Sequence, residues 1–232
     1  STITRDGSNV AENTLRIGMV VRVQGSISSN TSGSATSVSV EETVRGPVEA
    51  PPAGTPAAGA TLIVLGQTVH VDSATVIDNN VPNFAAIVPG MLLEIHGQRR
   101  DDGPVSAIFI ERKTAPVVFV VRGAVAAHNA AAQTFTVGAL TVSYAGATVR
   151  DMPAPTGSNW NGLFVEIKGT TCAALPVCGT LTATLANRLL GERVAARQWA
   201  GLALGLAGVY LVVQGRTAGG APPAAWAAAT LA

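Results

Sequence analysis

At 232 residues the chain is long enough for one large domain or several small ones. With 12% charged residues and a net charge of +1, it lacks the electrostatic footprint of a protein that binds nucleic acid or an anionic membrane surface. Apolar residues reach 47% but aromatics only 4%, a balance of Ala, Val and Gly that suits thin sandwiches and small barrels better than a large enzyme core.

The chain begins Ser-Thr-Ile-Thr, with neither an initiator Met nor a basic leader ahead of an apolar run, so any signal peptide is expected to be gone. Residues 1–43 carry a short Thr2-Ile-Thr segment, a Gly18-Met-Val-Val-Arg-Val-Gln-Gly25 run and a polar tip at Ser29–Gly33. The alternating run Ser37-Val-Ser-Val-Glu41 closes them. Residues 44–114 open on Val44-Arg-Gly-Pro-Val48, and Ala50–Gly59 then reads as a Pro/Gly/Ala-rich linker or a long loop. Leu62–Gly66, Val69–Asp72, Thr75-Val-Ile and Gly90-Met-Leu-Leu-Glu-Ile-His-Gly97 follow. Asp101-Asp-Gly-Pro104 reads as a hairpin turn before Ala107-Ile-Phe-Ile-Glu111. Residues 115–188 repeat the order: Val121-Arg-Gly-Ala-Val125, Phe135–Gly138, Val142–Ala145, Thr148-Val-Arg, Gly162-Leu-Phe-Val-Glu-Ile-Lys-Gly169 and Ala183–Asn187.

Gly18, Gly90 and Gly162 stand 72 residues apart, and Thr2, Thr75 and Thr148 stand 73 apart. Two motifs sharing nearly one period mark a repeated supersecondary unit. Within the central run of each copy, apolar residues at every second position leave Arg22, Glu94, His96, Glu166 and Lys168 on the opposite face, the pattern of half-buried antiparallel strands. The expected fold is mainly β: tandem small antiparallel β-barrels, OB-like or SH3-like, with a hydrophobic helical segment at the C-terminus. The first copy starts only at the strand around Ile3, so its opening strands are expected to be cut off or supplied by another molecule.

Cys172 and Cys178, six apart in a turn-like stretch between two strand-like runs, read as a hairpin disulfide and thus point outside the cytoplasm. Zinc is the competing idea, but no second Cys or His pair stands at ligand spacing. His70, His96 and His128 have no second ligand type near them, and Asp72, Asp101 and Asp102 are turn chemistry before they are a calcium site. No Gly-x-Ser-x-Gly elbow, phosphate loop or dinucleotide fingerprint occurs, so no catalytic residue and no cofactor is assigned.

Leu15-Arg-Ile-Gly-Met-Val-Val-Arg-Val-Gln-Gly25, Gly66-Gln-Thr-Val69 and the Asp-Gly hairpin before Ala107–Glu111 resemble a bacterial family of unknown function. Its members look like exported, often lipid-anchored proteins of tandem small β-barrels. The resemblance covers about residues 1–188 and implies export and a barrel fold, with no catalytic residues to carry over.

From Leu189 the alternation stops, and residues 190–214 resemble the last helix of drug/metabolite transporters, where Gly-Glu-Arg precedes such an apolar run. The run Trp199–Val213 is 15 residues, between a buried helix and a membrane span, so a membrane contact through 199–213 stays open. The expected function is that of a non-enzymatic structural or assembly protein at the periplasm, cell surface or exterior, for instance a filament subunit. Its copies would join through the N-terminal strand and the Ala/Pro-rich tail, with no nucleic-acid partner. The other readings are a carbohydrate- or ligand-binding module, with Tyr144, Trp160 and Phe164 as its few stacking residues, and a membrane-anchored surface protein.

Overall fold

The computed structural model describes residues 1–101, 103–115 and 117–189. The expected C-terminal helix and the tail lie outside the described residues. Unit one carries β1 (Thr2–Arg5), β2 (Ser8–Asn9), β3 (Val21–Ser29) and β4 (Ser32–Val40). Unit two carries β5 (Val44–Pro47), β6 (Ala53–Thr55), β7 (Gly59–Val64), β8 (Gln67–Val71), β9 (Val76–Ile77), β10 (Leu92–Arg99) and β11 (Val105–Arg112). Unit three carries β12 (Phe119–Ala124), β13 (Ala126–Asn129), β14 (Thr134–Val137), β15 (Leu140–Ser143), β16 (Thr148–Arg150), β17 (Phe164–Cys172) and β18 (Thr180–Arg188).

The fold is mainly β and built from repeated units. In every unit a long antiparallel hairpin, β3–β4, β10–β11 or β17–β18, receives a short strand in parallel on its last member: β1 on β4, β9 on β11, β16 on β18. These short strands are the three threonine-led segments of the 73-residue step. The 72-residue glycines have two separate causes. Gly18, Gly90 and Gly162 adopt φ of 95°, 85° and 82°, a left-handed turn into the strand that a side chain disfavours. Gly25, Gly97 and Gly169 sit where the ladder register slips in all three hairpins. A Cβ there would run into the backbone oxygen of Ser34, Ser106 or Thr182 on the facing strand.

The units are not separate bodies. β1–β4 form one four-stranded sheet, whereas units two and three share a fourteen-stranded sheet, because β5 pairs antiparallel with β12 as well as with β10. The result is a solenoid-like continuity of strands rather than isolated barrels on a string. The hairpin tips also interlock: Ala139 N–H donates to the Gly66 carbonyl at 3.0 Å, and buried Gln67 donates to the Val137 carbonyl at 2.7 Å. Ala50–Gly59 is not a linker, since β6 lies inside it and pairs with β7. The core is Val-rich, with Val44, Val64, Val69, Ile95 and Ile110 in unit two and Phe135, Leu140, Trp160, Ile167 and Leu181 in unit three. The hairpin tips at Ser29–Ser32, Arg99–Val105 and Cys172–Thr180 stand at equivalent places and differ in sequence among the three units.

The two kinds of glycine should respond differently to an added methyl group. Gly97→Ala is expected to cost about 1–3 kcal/mol, because a backbone oxygen must move. Gly90→Ala is expected to cost only the left-handed backbone penalty of about 1–2 kcal/mol, since nothing lies within 4 Å of its Cβ position. Urea denaturation of both variants checks this, and an unchanged midpoint for Gly97→Ala would refute the bulge account.

Candidate functional site

The polar face of the central strands, expected on the side away from the core, is buried as well. Glu94 and His96 are fully buried and Glu166 nearly so. Register puts Arg45 directly opposite Glu94 and Arg122 directly opposite Glu166, so each opening strand offers its Val-Arg-Gly arginine to the carboxylate of its own unit. Arg45 Nε donates to Glu94 at 2.7 Å, and its Nη2 reaches Asp6 at 2.6 Å and Glu42 at 3.1 Å. Arg122 Nε donates to Glu166 at 2.8 Å and its Nη1 to Glu41 at 2.6 Å.

Unit one closes the cluster from above. Arg5 Nη2 lies 2.5 Å from Glu94 and also bonds Glu111. Lys113 stands 2.9 Å from Glu111 and 3.4 Å from Glu94. His96 places Nε2 3.0 Å from Glu94 and Nδ1 2.9 Å from the Glu41 carbonyl. Arg22, the unit-one counterpart of Glu94 and Glu166, turns to Glu41 at 2.8 Å. Arg5, Arg22, Arg45, Arg122, Lys113 and Lys168 thus meet Asp6, Glu41, Glu42, Glu94, Glu111 and Glu166. A cavity of about 260 Å³ borders this cluster, with Arg22, Glu41, Arg122, Glu166, Asn187 and Leu189 in its wall.

Two buried carboxylates respond oppositely. Burial raises the Glu94 carboxyl, but the His96 hydrogen bond and the charges of Arg45, Lys113 and Arg5 together hold it well below the usual carboxylate range. Glu42 is pushed up, since burial outweighs its attraction to Arg45 and the neighbouring Glu94 and Asp6 charges add to the shift. Burial likewise works against the Arg45 guanidinium, yet Glu42, Glu94 and Asp6 keep it above its ordinary value. Chemically this is a lattice of ion pairs that locks three units together, with Arg5 Nε and, in the cavity wall, Asn187 Oδ1 left without a hydrogen-bond partner among the described residues.

The residues singled out by sequence are scattered. Cys172 and Cys178 form a disulfide across the tip of β17–β18. His128 stacks on Trp160 at 4.4 Å and meets the Tyr144 hydroxyl at 3.0 Å, inside a cluster that also holds Phe135. Tyr144 and Trp160 are therefore buried, which leaves half-exposed Phe164 alone of the three stacking candidates. Asp72 caps its own turn through Ala74 and Thr75, Asp101 is exposed, and Asp102 lies outside the described residues. Among the described residues no group of three His, Cys, Asp or Glu side chains is placed to hold a metal ion. No helix among them is long and apolar enough to cross a membrane, and residues 199–213 lie outside them. Strand alternation alone does not single out this cluster, although Val-Arg-Gly recurs at 44–46 and 121–123 and a glutamate recurs at 94 and 166.

Linkage gives a signed prediction. The Glu94 carboxyl, depressed in the fold, contributes stability that is fully present above the ordinary value near 4.5 and is lost as pH falls below it. Glu42, raised in the fold, opposes stability as pH rises above 4.5. Glu94→Gln is expected to cost about 3 kcal/mol at pH 7 by removing the buried carboxylate that Arg45, Arg5 and Lys113 share, and to flatten the acid limb. Glu42→Gln is expected to be neutral or stabilising at pH 7. Urea titrations of both at pH 7 and pH 4 decide it, and equal losses at pH 7 would show the assignment to be wrong.

Searches of curated proteins and of solved structures find no match. One family model does match, over residues 45–111 and 122–184, more than half of the chain. Each match begins at an opening-strand arginine, Arg45 or Arg122, so it takes in most of units two and three together with the paired glutamates. The chain belongs to this family, described as a domain of unknown function (DUF5666).

Proposed function

We propose that the protein is a non-enzymatic structural component of an extracytoplasmic assembly, in which β3 of unit one takes a strand from a neighbouring subunit. One observation carries this reading. Val21 and Val23 are 40% and 58% exposed, whereas their counterparts Leu93 and Ile95 in unit two and Val165 and Ile167 in unit three are 0% exposed. Those counterparts lie in the apolar core on strands whose edge is paired by β5 or β12, and no strand among the described residues pairs on that edge of β3. Burying the two valines would contribute about 2 kcal/mol, to which a new backbone ladder adds.

Other features support a structural role. The carboxylates of the junction are engaged by cations, which suits a lock better than a general base. The Cys172–Cys178 bridge is compatible with an oxidising compartment such as the periplasm or cell surface. In the simplest form the neighbour is a second copy joined at the N-terminal unit, as in a filament. The finer shape of units two and three is part of the same proposal. The order β5, β7, β8, β11, β10 and back to β5, with β8 parallel to β11, follows an OB-like circuit, and the Val48–Val64 bridge supports its closure as a small barrel. Amide contacts between Val48 and Val64 in solution by NMR are its check.

The assembly reading is tested on material isolated from its native setting, by negative-stain electron microscopy with light scattering. Regular multi-subunit particles are expected, and Val23→Asp, at an exposed position, is expected to disperse them without unfolding the chain. Uniform monomers from native material would refute it.

A further inference from the structure

The last rung of the β3–β4 hairpin is half made. Glu41 N–H donates to the Val20 carbonyl at 2.9 Å, one of the two bonds that a hydrogen-bonded antiparallel pair exchanges. The return bond is intercepted. Val20 N–H points instead at Nδ1 of His96, 3.4 Å away, and the Glu41 carbonyl lies 2.9 Å from the same nitrogen. A fully buried side chain of unit two is thus wedged between the donor and the acceptor that end the hairpin of unit one.

One ring nitrogen cannot satisfy both. The other, Nε2, lies 3.0 Å from the Glu94 carboxylate, which only accepts, so Nε2 carries a hydrogen whether the ring is charged or neutral. In the imidazolium, Nδ1 carries one too and donates to the Glu41 carbonyl. In the neutral ring Nδ1 is a lone pair, which faces the lone pairs of that carbonyl and accepts only from Val20 N–H. The charged groups of the same cluster are Glu94 on the strand of His96, Arg45 on β5, and Glu111 on β11 with Lys113 just beyond. Unit one adds Arg5 and Asp6 at the end of β1, and Glu41 and Glu42 after β4. These ions pair with one another, and the uncharged Phe109 ring stands 5.7 Å from His96. His96 Nδ1 alone has its two contacts, a backbone donor and a backbone acceptor, decided by one proton.

We infer that His96 is a proton-operated clasp between units one and two, closed on the Glu41 carbonyl when the ring is protonated and eased when it is neutral. As pH rises, a proton passes from Nδ1 to water, the 2.9 Å bond is lost, and the hold shifts to the longer Val20 contact. Unit one responds because it contributes no residue to the apolar core and depends on polar contacts for its place. The test uses the full chain with isotope-labelled histidine, the ring nitrogens of His96 being assigned through its own backbone. Between about pH 5 and about pH 9, Nδ1 is expected to go from protonated to bare while Nε2 stays protonated. Over that range the exchange protection of β1 and β4 amides is expected to fall about tenfold relative to β14 and β15, the cost of one charge-assisted bond. His96→Asn, which keeps an amide donor and cannot titrate, is expected to abolish the fall, and Glu42→Gln to leave it in place. An Nδ1 whose protonation does not change over this range, or a fall that persists in His96→Asn, would overturn the clasp. If that variant fails to fold, the ring-nitrogen shifts of the unaltered chain decide alone.

Discussion

A carboxylate with no exposure to water is the constraint on which the arrangement of units depends. Removing Glu94 from solvent is costly unless several cations and donors replace the lost hydration. Arg45 comes from the opening strand of the same unit, Arg5 from β1 of the preceding one, Lys113 from just beyond β11, and His96 from β10 itself. Slide unit one by a residue and Arg5 leaves, so the buried Glu94 loses one of its cations. Displace β5 and both Arg45 and the β5–β12 ladder are lost. The apolar core lies in units two and three and holds no residue of unit one, so the ion pairs of Arg5, Asp6 and Glu41 fix where unit one sits against them.

The same logic explains what the sequence discloses and what it hides. Gly25, Gly97 and Gly169 are legible because their cause is steric and local to one hairpin that recurs with fixed length. The threonine-led strands are legible for the same reason, and the cysteines because only six residues part them. The junction is illegible because its pairs are distant: 49 residues separate Arg45 from Glu94 and 89 separate Arg5 from Glu94. Alternation shows that Glu94, His96 and Glu166 leave the core face, but not that a second surface covers them. Ala50–Gly59 misleads because its composition is that of a loop, whereas three of its residues, Ala53–Thr55, need only backbone pairing to Gly59–Thr61 to form β6. The histidines are equally silent: His128 acquires its role from Trp160 across the fold, and His96 pairs with Glu94 two residues back on β10 on a face whose burial the alternation does not reveal.

One repeat position is thus put to three uses. At Glu166 it ties the opening strand of unit three to its own hairpin; at Glu94 it does so and also fastens unit one through Arg5. At Arg22 the sign is reversed, and the side chain reaches Glu41, which Arg122 of unit three also holds. Arg22 itself stays paired within unit one, and it is Glu41, shared with Arg122, that carries the contact to unit three.

The exposed edge that remains has features that restrain indiscriminate pairing. An edge strand with free N–H and C=O groups is a template for aggregation, and proteins blunt it with charge, bulges and short runs. On β3 the pairing stretch is limited to Val21–Gln24 on one side of the bulge at Gly25. Beyond it the strand turns polar, with Ser26, Ser28 and Ser29 running to a tip whose hydroxyls bond one another. Arg22 sits in the middle of the short stretch, so a passing apolar strand meets a cation and a strand like β5 or β12 meets repulsion. The edge stays open to few sequences for the same reason that the interior holds together: in this fold, charge placed by register decides which strands belong side by side.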